Sequence, residues 1–149
     1  MAQYVDASLG GEERVTYRAS ISWVIYLMPV MMMGFGAAWV LAGSGMPGMP
    51  GLIVAIAGVL SAAGAFIRKA TSEFAVTTDR VVVKTGLLSR NTIEIQLSKV
   101  ESVQVNQDIL GRLLNYGTIT VAGTGGTHEP FTLIDDPMSF RKAVQAAQG

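Results

Sequence analysis

The chain has 149 residues, a formal net charge of +0, no cysteine and 7% aromatic residues. Zero net charge removes any global electrostatic case for nucleic-acid binding, and the scarcity of rings argues against a base-stacking surface. The lack of cysteine excludes disulfides and thiolate metal sites.

Residues 1–18 are polar, with Asp6, Glu12 and Glu13 balanced in part by Arg14 and Arg18, and are expected to lie outside lipid. They do not read as a signal peptide, whose n-region is basic and whose apolar core spans about 7–15 residues, so no cleavage is expected. Between residues 19 and 67 there is no Asp, Glu, Lys, Arg or His, although charged residues make up 15% of the chain. One helix crossing a hydrocarbon core of about 30 Å needs roughly 20 apolar residues, so this stretch is long enough for two. Residues 21–41 read as the first transmembrane helix, with Trp23 and Tyr26 near its start and Trp39 near its end, where amphipathic rings settle at headgroup level. Pro29 lacks an N–H and crowds the carbonyl of Ile25, which predicts a kink. Residues 42–51 hold four glycines and two prolines and break the helix. Residues 52–67 are the second helix, sixteen residues long and slightly short of a span, a mismatch that bilayer thinning absorbs. A single buried helix with a re-entrant turn is the alternative.

Small residues recur four apart: Gly34, Ala38 and Ala42 in the first helix, Gly58 with Ala62 and Ser61 with Ala65 in the second. Small faces let backbones approach closely in lipid, between the two helices or between copies, although Gly is frequent in membrane helices in any case. Arg14 and Arg18 precede the hairpin, Arg68 and Lys69 follow it, and the loop has no basic residue. The positive-inside rule then puts both ends in the cytoplasm. The expected domains are a cytoplasmic N-terminal segment at 1–18, a transmembrane hairpin at 19–67 and a cytoplasmic domain at 73–149.

After Lys69 the pattern changes to short alternating runs: Phe74-Ala75-Val76, Ile93 to Leu97, Val103-Gln104-Val105, Ile119-Thr120-Val121 and Phe131-Thr132-Leu133. Period two with β-branched residues predicts half-buried strands in an antiparallel sheet. Turns are expected at Thr78-Asp79, at 86–91 and at 123–129. Ile109, Leu110, Leu113 and Leu114 recur at helical spacing and predict a short helical turn. Asp136-Pro137 is a helix start, followed by the stripe Phe140, Ala143, Val144 and Ala147. Only Ala70, Thr71 and Ser72 separate Lys69 from the first of these strands, a reach of about 10 Å, so the domain is expected close to the headgroups.

Residues 77–123 resemble the bacterial PH-like domain family, also called the membrane-flanked domain family. The likeness lies in Thr78-Asp79-Arg80 before a strand, Gly86 in the next turn, Ile95-Gln96-Leu97, Val103-Gln104-Val105 and Leu110-Gly111-Arg112 before Tyr116-Gly117. Gly11-Glu12-Glu13 ahead of an apolar helix is similar to members of the family as well. The resemblance implies an α+β membrane protein: a two-helix transmembrane hairpin followed by a small PH-like antiparallel β-barrel with a C-terminal capping helix. It implies no catalytic motif and no cofactor, and a bacterial inner-membrane location.

A polyphosphoinositide pocket needs several bases converging on phosphates. The first hairpin offers only Arg80 and Lys84, beside Asp79. From residue 73 onward seven Lys and Arg face eight Asp and Glu, so the domain is slightly acidic. Arg14, Arg18, Trp23, Trp39, Arg68, Lys69, Arg80 and Arg90 are the candidates for contact with the membrane interface, as anchors. Gly34, Ala38, Gly58, Ser61, Ala62 and Ala65 are the candidates for helix packing. His128, the only histidine, lies next to Glu129 and has too few neighbours for a metal site. The run Gly123 to Thr127 lacks the Lys and helix of a phosphate loop. The favoured function is a non-enzymatic membrane protein whose cytoplasmic domain scaffolds contacts, by self-association or with another membrane protein, and has membrane lipids as partners. The alternatives are an anionic-lipid sensing or organising module and an accessory subunit of a transport or export system.

Overall fold

The computed structural model describes residues 10–11, 13–43, 49–86, 91–124 and 128–149. These fall into two units: the chain up to Ser22 together with Lys69–Gly149, and Trp23–Arg68. The apolar helices are therefore an insertion within a single folded unit.

Among the described residues of the first unit, strands β1 (Val15–Ala19), β2 (Glu73–Thr77), β3 (Arg80–Thr85) and β4 (Asn91–Gln96) form one antiparallel sheet in the order β1-β2-β3-β4. Strands β5 (Val100–Asn106), β6 (Tyr116–Gly123) and β7 (His128–Asp135) form a second, in the order β5-β6-β7. No ladder joins the sheets among these residues, so the expected closed barrel is replaced by two sheets with free edges. The alternation picked out β2 and β4 to β7, whereas β3 is a continuous valine run between two expected turns. The sheet itself starts earlier: β1 comes from the segment before the apolar helices and pairs with β2 through Tyr17↔Val76, Arg18↔Ala75 and Ala19↔Phe74. Its own sequence, VTYRA, alternates in the same way and buries every second residue halfway.

The core lies between the sheets and the C-terminal helix. Phe74, Val76, Val81, Val83, Ile119, Val121 and Ile134 are buried, with Phe140 and Val144 from the helix Pro137–Gln148. The ring of Tyr17 meets Phe140 edge-on, with centroids 6.3 Å apart. A bulge between Val15 and Tyr17 separates these neighbours, so that Val15 packs against Ala75 and Val82 instead. Asp136 starts the C-terminal helix as the sequence indicates, its carboxylate accepting from Ser139 N–H at 3.3 Å, with Pro137 in the first turn.

Between β5 and β6 sits a one-turn helix, α3, Ile109–Leu113; we number the apolar helices α1 (Leu27–Leu41) and α2 (Met49–Thr71), and the C-terminal helix α4. Both apolar helices differ in extent from the hydropathy reading. Ile21 does not begin a helix; it is buried and bridges Ile134 of β7. A 3-10 turn, Trp23–Tyr26, precedes α1, and Pro29 falls in the first turn of α1, where its missing N–H has no intrahelical partner to lose. The chain meets this proline at a helix start and not at a mid-helix kink. Helix α2 starts at Met49 with Pro50 in its first turn, and runs through Arg68 and Lys69 to Thr71. Ser72 alone links it to β2.

The first link, Ser20 to Ser22, is pinned to β7. Asp135 N–H donates to Ser20 O at 3.0 Å and Ser22 N–H to Leu133 O at 2.7 Å. Strand β7 bulges here, its register shifting between Gly117 and Ile119, with Leu133 at φ 60. That left-handed conformation costs an L-residue about 1–2 kcal/mol. The hydroxyl of Ser22 is buried without a hydrogen-bond partner among the described residues, whereas the Phe140 side chain fills the core. Two substitutions should therefore move stability in opposite directions, read by urea unfolding of the detergent-solubilised protein. Ser22→Ala raises it by about 1 kcal/mol by removing an unsatisfied hydroxyl, and Phe140→Ala lowers it by about 3–5 kcal/mol.

Candidate functional site

The most elaborate polar arrangement joins the two pieces of the split unit. The bend Thr78-Asp79 between β2 and β3 places Thr77 and Arg80 side by side, and the Thr77 hydroxyl accepts from Arg80 N–H at 3.0 Å. Glu13, just ahead of β1, reaches both. Its Oε1 accepts from Thr77 Oγ1 at 2.6 Å and from Arg80 Nε at 2.9 Å; its Oε2 accepts from Arg80 Nη2 at 2.8 Å and from Gly10 N–H at 3.2 Å. The guanidinium completes its fork on β4, with Nη1 donating to Glu94 Oε2 at 2.6 Å. Backbone bonds run beside it: Thr78 N–H donates to Arg14 O at 3.0 Å, and Arg14 N–H to Thr78 Oγ1 at 3.3 Å.

This clasp is shielded, with the Glu13 side chain 5% exposed and that of Arg80 24%. Bidentate, charge-assisted bonds of this kind are stronger than neutral ones. The Arg80 guanidinium, helped by Thr77 and Gly10, holds the Glu13 carboxyl down from 4.5 to about 2 against the opposing effect of burial. Glu13 in turn pushes Arg80 upward, with Glu94 adding to it. Elsewhere, burial raises the Tyr17 hydroxyl, and Asp136 and Asp135 reinforce the shift.

The clasp also fixes where Arg80 stands. The links to the apolar helices leave the first sheet at Ala19 and Glu73, beside Lys84 and Thr85. Arg80 begins β3 at its other end, about 15 Å along the strand. Arg14 shares that far end. Arg18 and Arg68 are exposed and Lys69 half-buried, and none of the three is without a partner. Trp23 and Trp39 are exposed, the latter with Phe35 at 6.0 Å between ring centroids. Arg90 lies outside the described residues, as does the His128 side chain.

In the helical unit the close approach is made by glycines. A Cβ on Gly36 would stand 2.6 Å from Ala55 N and Gly51 O, and one on Gly58 would stand 2.7 Å from Met33 Cγ and 2.9 Å from Met33 N. One on Gly51 would meet Trp39 Cδ1 at 2.9 Å. Gly58 and Ala65 are buried, Ala62 is half-buried, and Gly34, Ala38 and Ser61 are exposed; nothing lies within 4 Å of a Cβ added to Gly34. Gly36 and Gly51, outside the four-residue spacing noted in the sequence, are the positions it missed. Gly36 had a signal, one turn before Trp39 in the same helix, whereas the contact of Gly51 with Trp39 across the helices left none in the sequence.

No cluster of metal-ligating side chains occurs among the described residues. A cleft of about 240 Å³ opens between Asn106, Asp108, Tyr116, Thr118 and Thr132, with no basic side chain in its lining. Another, about 260 Å³, lies by Glu94, Gln96 and Lys99, where one lysine faces one carboxylate. Neither is an anion cradle.

A family model described as bacterial PH domain matches residues 19–148. The chain belongs to the bacterial PH domain family. Searches of curated proteins and of solved structures return no match. The PH domain observed has the antiparallel sheets and C-terminal helix of this class, whose members are protein-interaction or lipid-binding modules and typically non-catalytic. It extends beyond the matched span, since most of β1, and Glu13 of the clasp, precede residue 19.

Two outcomes check this geometry. Glu13→Gln should cost the PH domain about 1–3 kcal/mol at pH 7 by removing the charged partner of a shielded guanidinium. Because the folded carboxyl titrates near 2 and the unfolded one near 4.5, the wild-type advantage is complete above the higher value and shrinks as pH falls toward the lower. Melting curves of both proteins from pH 7 to pH 2.5 test it. In the helices, Gly58→Leu should destabilise by about 1–3 kcal/mol through overpacking, whereas Gly34→Leu should stay within about 0.5 kcal/mol, in thermal denaturation of the detergent-solubilised protein.

Proposed function

We propose that the protein is a non-enzymatic, multi-pass integral membrane protein of the bacterial inner membrane, whose cytoplasmic PH domain serves as a tethered scaffold for protein contacts or self-association. The observation that carries the membrane part is the character of the two helical segments. Trp23–Leu41 and Met49–Thr71 are 19 and 23 residues long, with mean hydropathies of 1.9 and 2.1, and only 11% and 17% of their apolar windows are buried. A core helix of a soluble protein of this composition is mostly buried. Here Met28, Met31, Phe35, Ile53 and Leu60 all face outward, as lipid-facing side chains do. The lack of basic residues between the helices supports cytoplasmic ends on both sides.

The scaffold part rests on the open sheets. Strand β4 pairs only with β3, and β5 only with β6, among the described residues. Each keeps one edge able to receive a strand from a partner or another copy. The strongest basic candidate on the first hairpin, Arg80, is engaged by two carboxylates at the far end of the sheet. This disfavours headgroup recognition there, and with it the lipid-sensing alternative centred on that residue. No Asp, Glu, Lys, Arg or His lies between residues 19 and 67, which disfavours an ion relay through this chain alone.

In native-lipid discs the protein should run as an oligomer, or with a stoichiometric protein partner, by native mass spectrometry; a partnerless monomer would overturn the scaffold. A reporter active only outside the cytoplasm should be silent when fused after Gly149.

A further inference from the structure

Helix α3 is built inside out. A short surface helix normally turns its apolar residues toward the core. Here Ile109 is 87% exposed, Leu110 58% and Leu113 78%, while the residue the helix buries is Gly111. Its buried side is held by polar bonds. Asp108 Oδ1 accepts from Gly111 N–H at 2.6 Å, and the Gln107 amide donates to Gly111 O at 3.3 Å and to Tyr116 O at 2.9 Å. A Cβ on Gly111 would come within 2.6 Å of Tyr116 O, so the turn is clamped flat against the sheet and its aliphatic side chains stand away from it. Arg112 is exposed in the same turn.

The position of α3 within the PH domain indicates what covers it. Ile134 of β7 pairs with Gly117 on one side and bridges Ile21 on the other. The chain leaves for the first apolar helix immediately after Ile21, at Ser22, and α3 ends just before the β6 residues that include Gly117. Two strand spacings, about 10 Å, separate the link from the strand that α3 feeds. The return link at Ser72 reaches Glu73 at the same end as Ala19. The apolar turn thus stands at the end of the domain that is covalently joined to the apolar helices, and away from the Glu13 clasp.

We infer that α3 is a membrane-interface foot: Ile109, Leu110 and Leu113 enter the acyl boundary of the bilayer, and Arg112 meets lipid phosphate. The occupant is a lipid surface because a membrane lies at this end if the helices span it, so the inference rests on that proposed reading. Interfacial segments combine apolar and basic residues in this manner. The foot gives the domain a second, non-covalent attachment next to its covalent ones.

The chain has no cysteine, so single probes can be placed without background. Full-length Leu113→Cys, Leu60→Cys and Ser98→Cys proteins, labelled with an environment-sensitive fluorophore, are reconstituted in phosphatidylcholine–phosphatidylglycerol vesicles containing lipids with a spin label near the headgroup or deep in the chain. Ser98 is exposed in the turn between β4 and β5, at the opposite end of the domain. The Leu113 probe should be quenched at least two-fold by the shallow label and less by the deep one, the Leu60 probe by the deep label, and the Ser98 probe by neither. Quenching at Leu60 with a water-exposed Leu113 probe overturns the foot and leaves the membrane reading standing. A Leu113 probe shielded from water yet unquenched by either lipid also overturns it, in favour of a protein contact. If no probe is quenched, both readings fall. A second variant, Ile109→Ser with Leu113→Ser, should keep the melting temperature of the PH domain while at least doubling the rotational mobility of a Ser98 probe on vesicles; unchanged mobility counts against the foot.

Discussion

The first sheet of the PH domain depends on a pairing between two pieces of chain that are far apart in sequence. Glu13 and Arg80 stand 67 residues apart and make a bidentate ion pair, and the β1–β2 ladder runs beside it. Closing so long a loop carries an entropic cost that grows slowly with length. The contacts that offset it are of three kinds: backbone bonds along the ladder, the shielded carboxylate–guanidinium pair, and the apolar contacts of half-buried Tyr17 and buried Ile21. The pair is the most directional of the three. It selects one register for β1, since a slip by one residue would turn Tyr17 away from Phe140 and carry Glu13 away from Arg80.

Belonging to the bacterial PH domain family gives the fold a frame but leaves function to surfaces. In this chain the polar cluster around Arg80 is self-satisfied. Among the described residues Arg80 is clasped, the two clefts described above hold no converging bases, and the open features include the edges of β4 and β5 and an apolar turn. Such features suit the interaction or lipid-binding modules typical of the family.

Much of the fold was legible because burial writes a period into sequence. Strands β2 and β4 to β7 announced themselves through alternation, β3 as a valine run between two expected turns, and α4 through Asp136-Pro137 and its apolar stripe. Strand β1 carried the same period, but it abuts a long uncharged stretch, and Ile21 within that stretch belongs to the sheet core. Hydropathy alone does not divide a core residue from a lipid-facing one. For the same reason α2 extends past its last apolar residue through Arg68 and Lys69, since backbone hydrogen bonding continues where hydropathy stops. The seam between the helices turns on Gly36 and not on Gly34: four-residue spacing names a face, and only the partner helix decides which face is used. In α3 the spacing identified a helical turn but could not say which side faces out, because Gly111 makes the buried contact and leaves no hydrophobic mark.

The placement of the apolar helices between β1 and β2 has a consequence for biogenesis. Strand β1 is synthesised well before the strand it must pair with, and both helices emerge in between. The edge of β1 stays without its partner until both helices and then β2 have left the ribosome. Folding of the domain therefore cannot precede synthesis of both helices, and the order of synthesis makes a completed sheet a report that the intervening segment has already emerged.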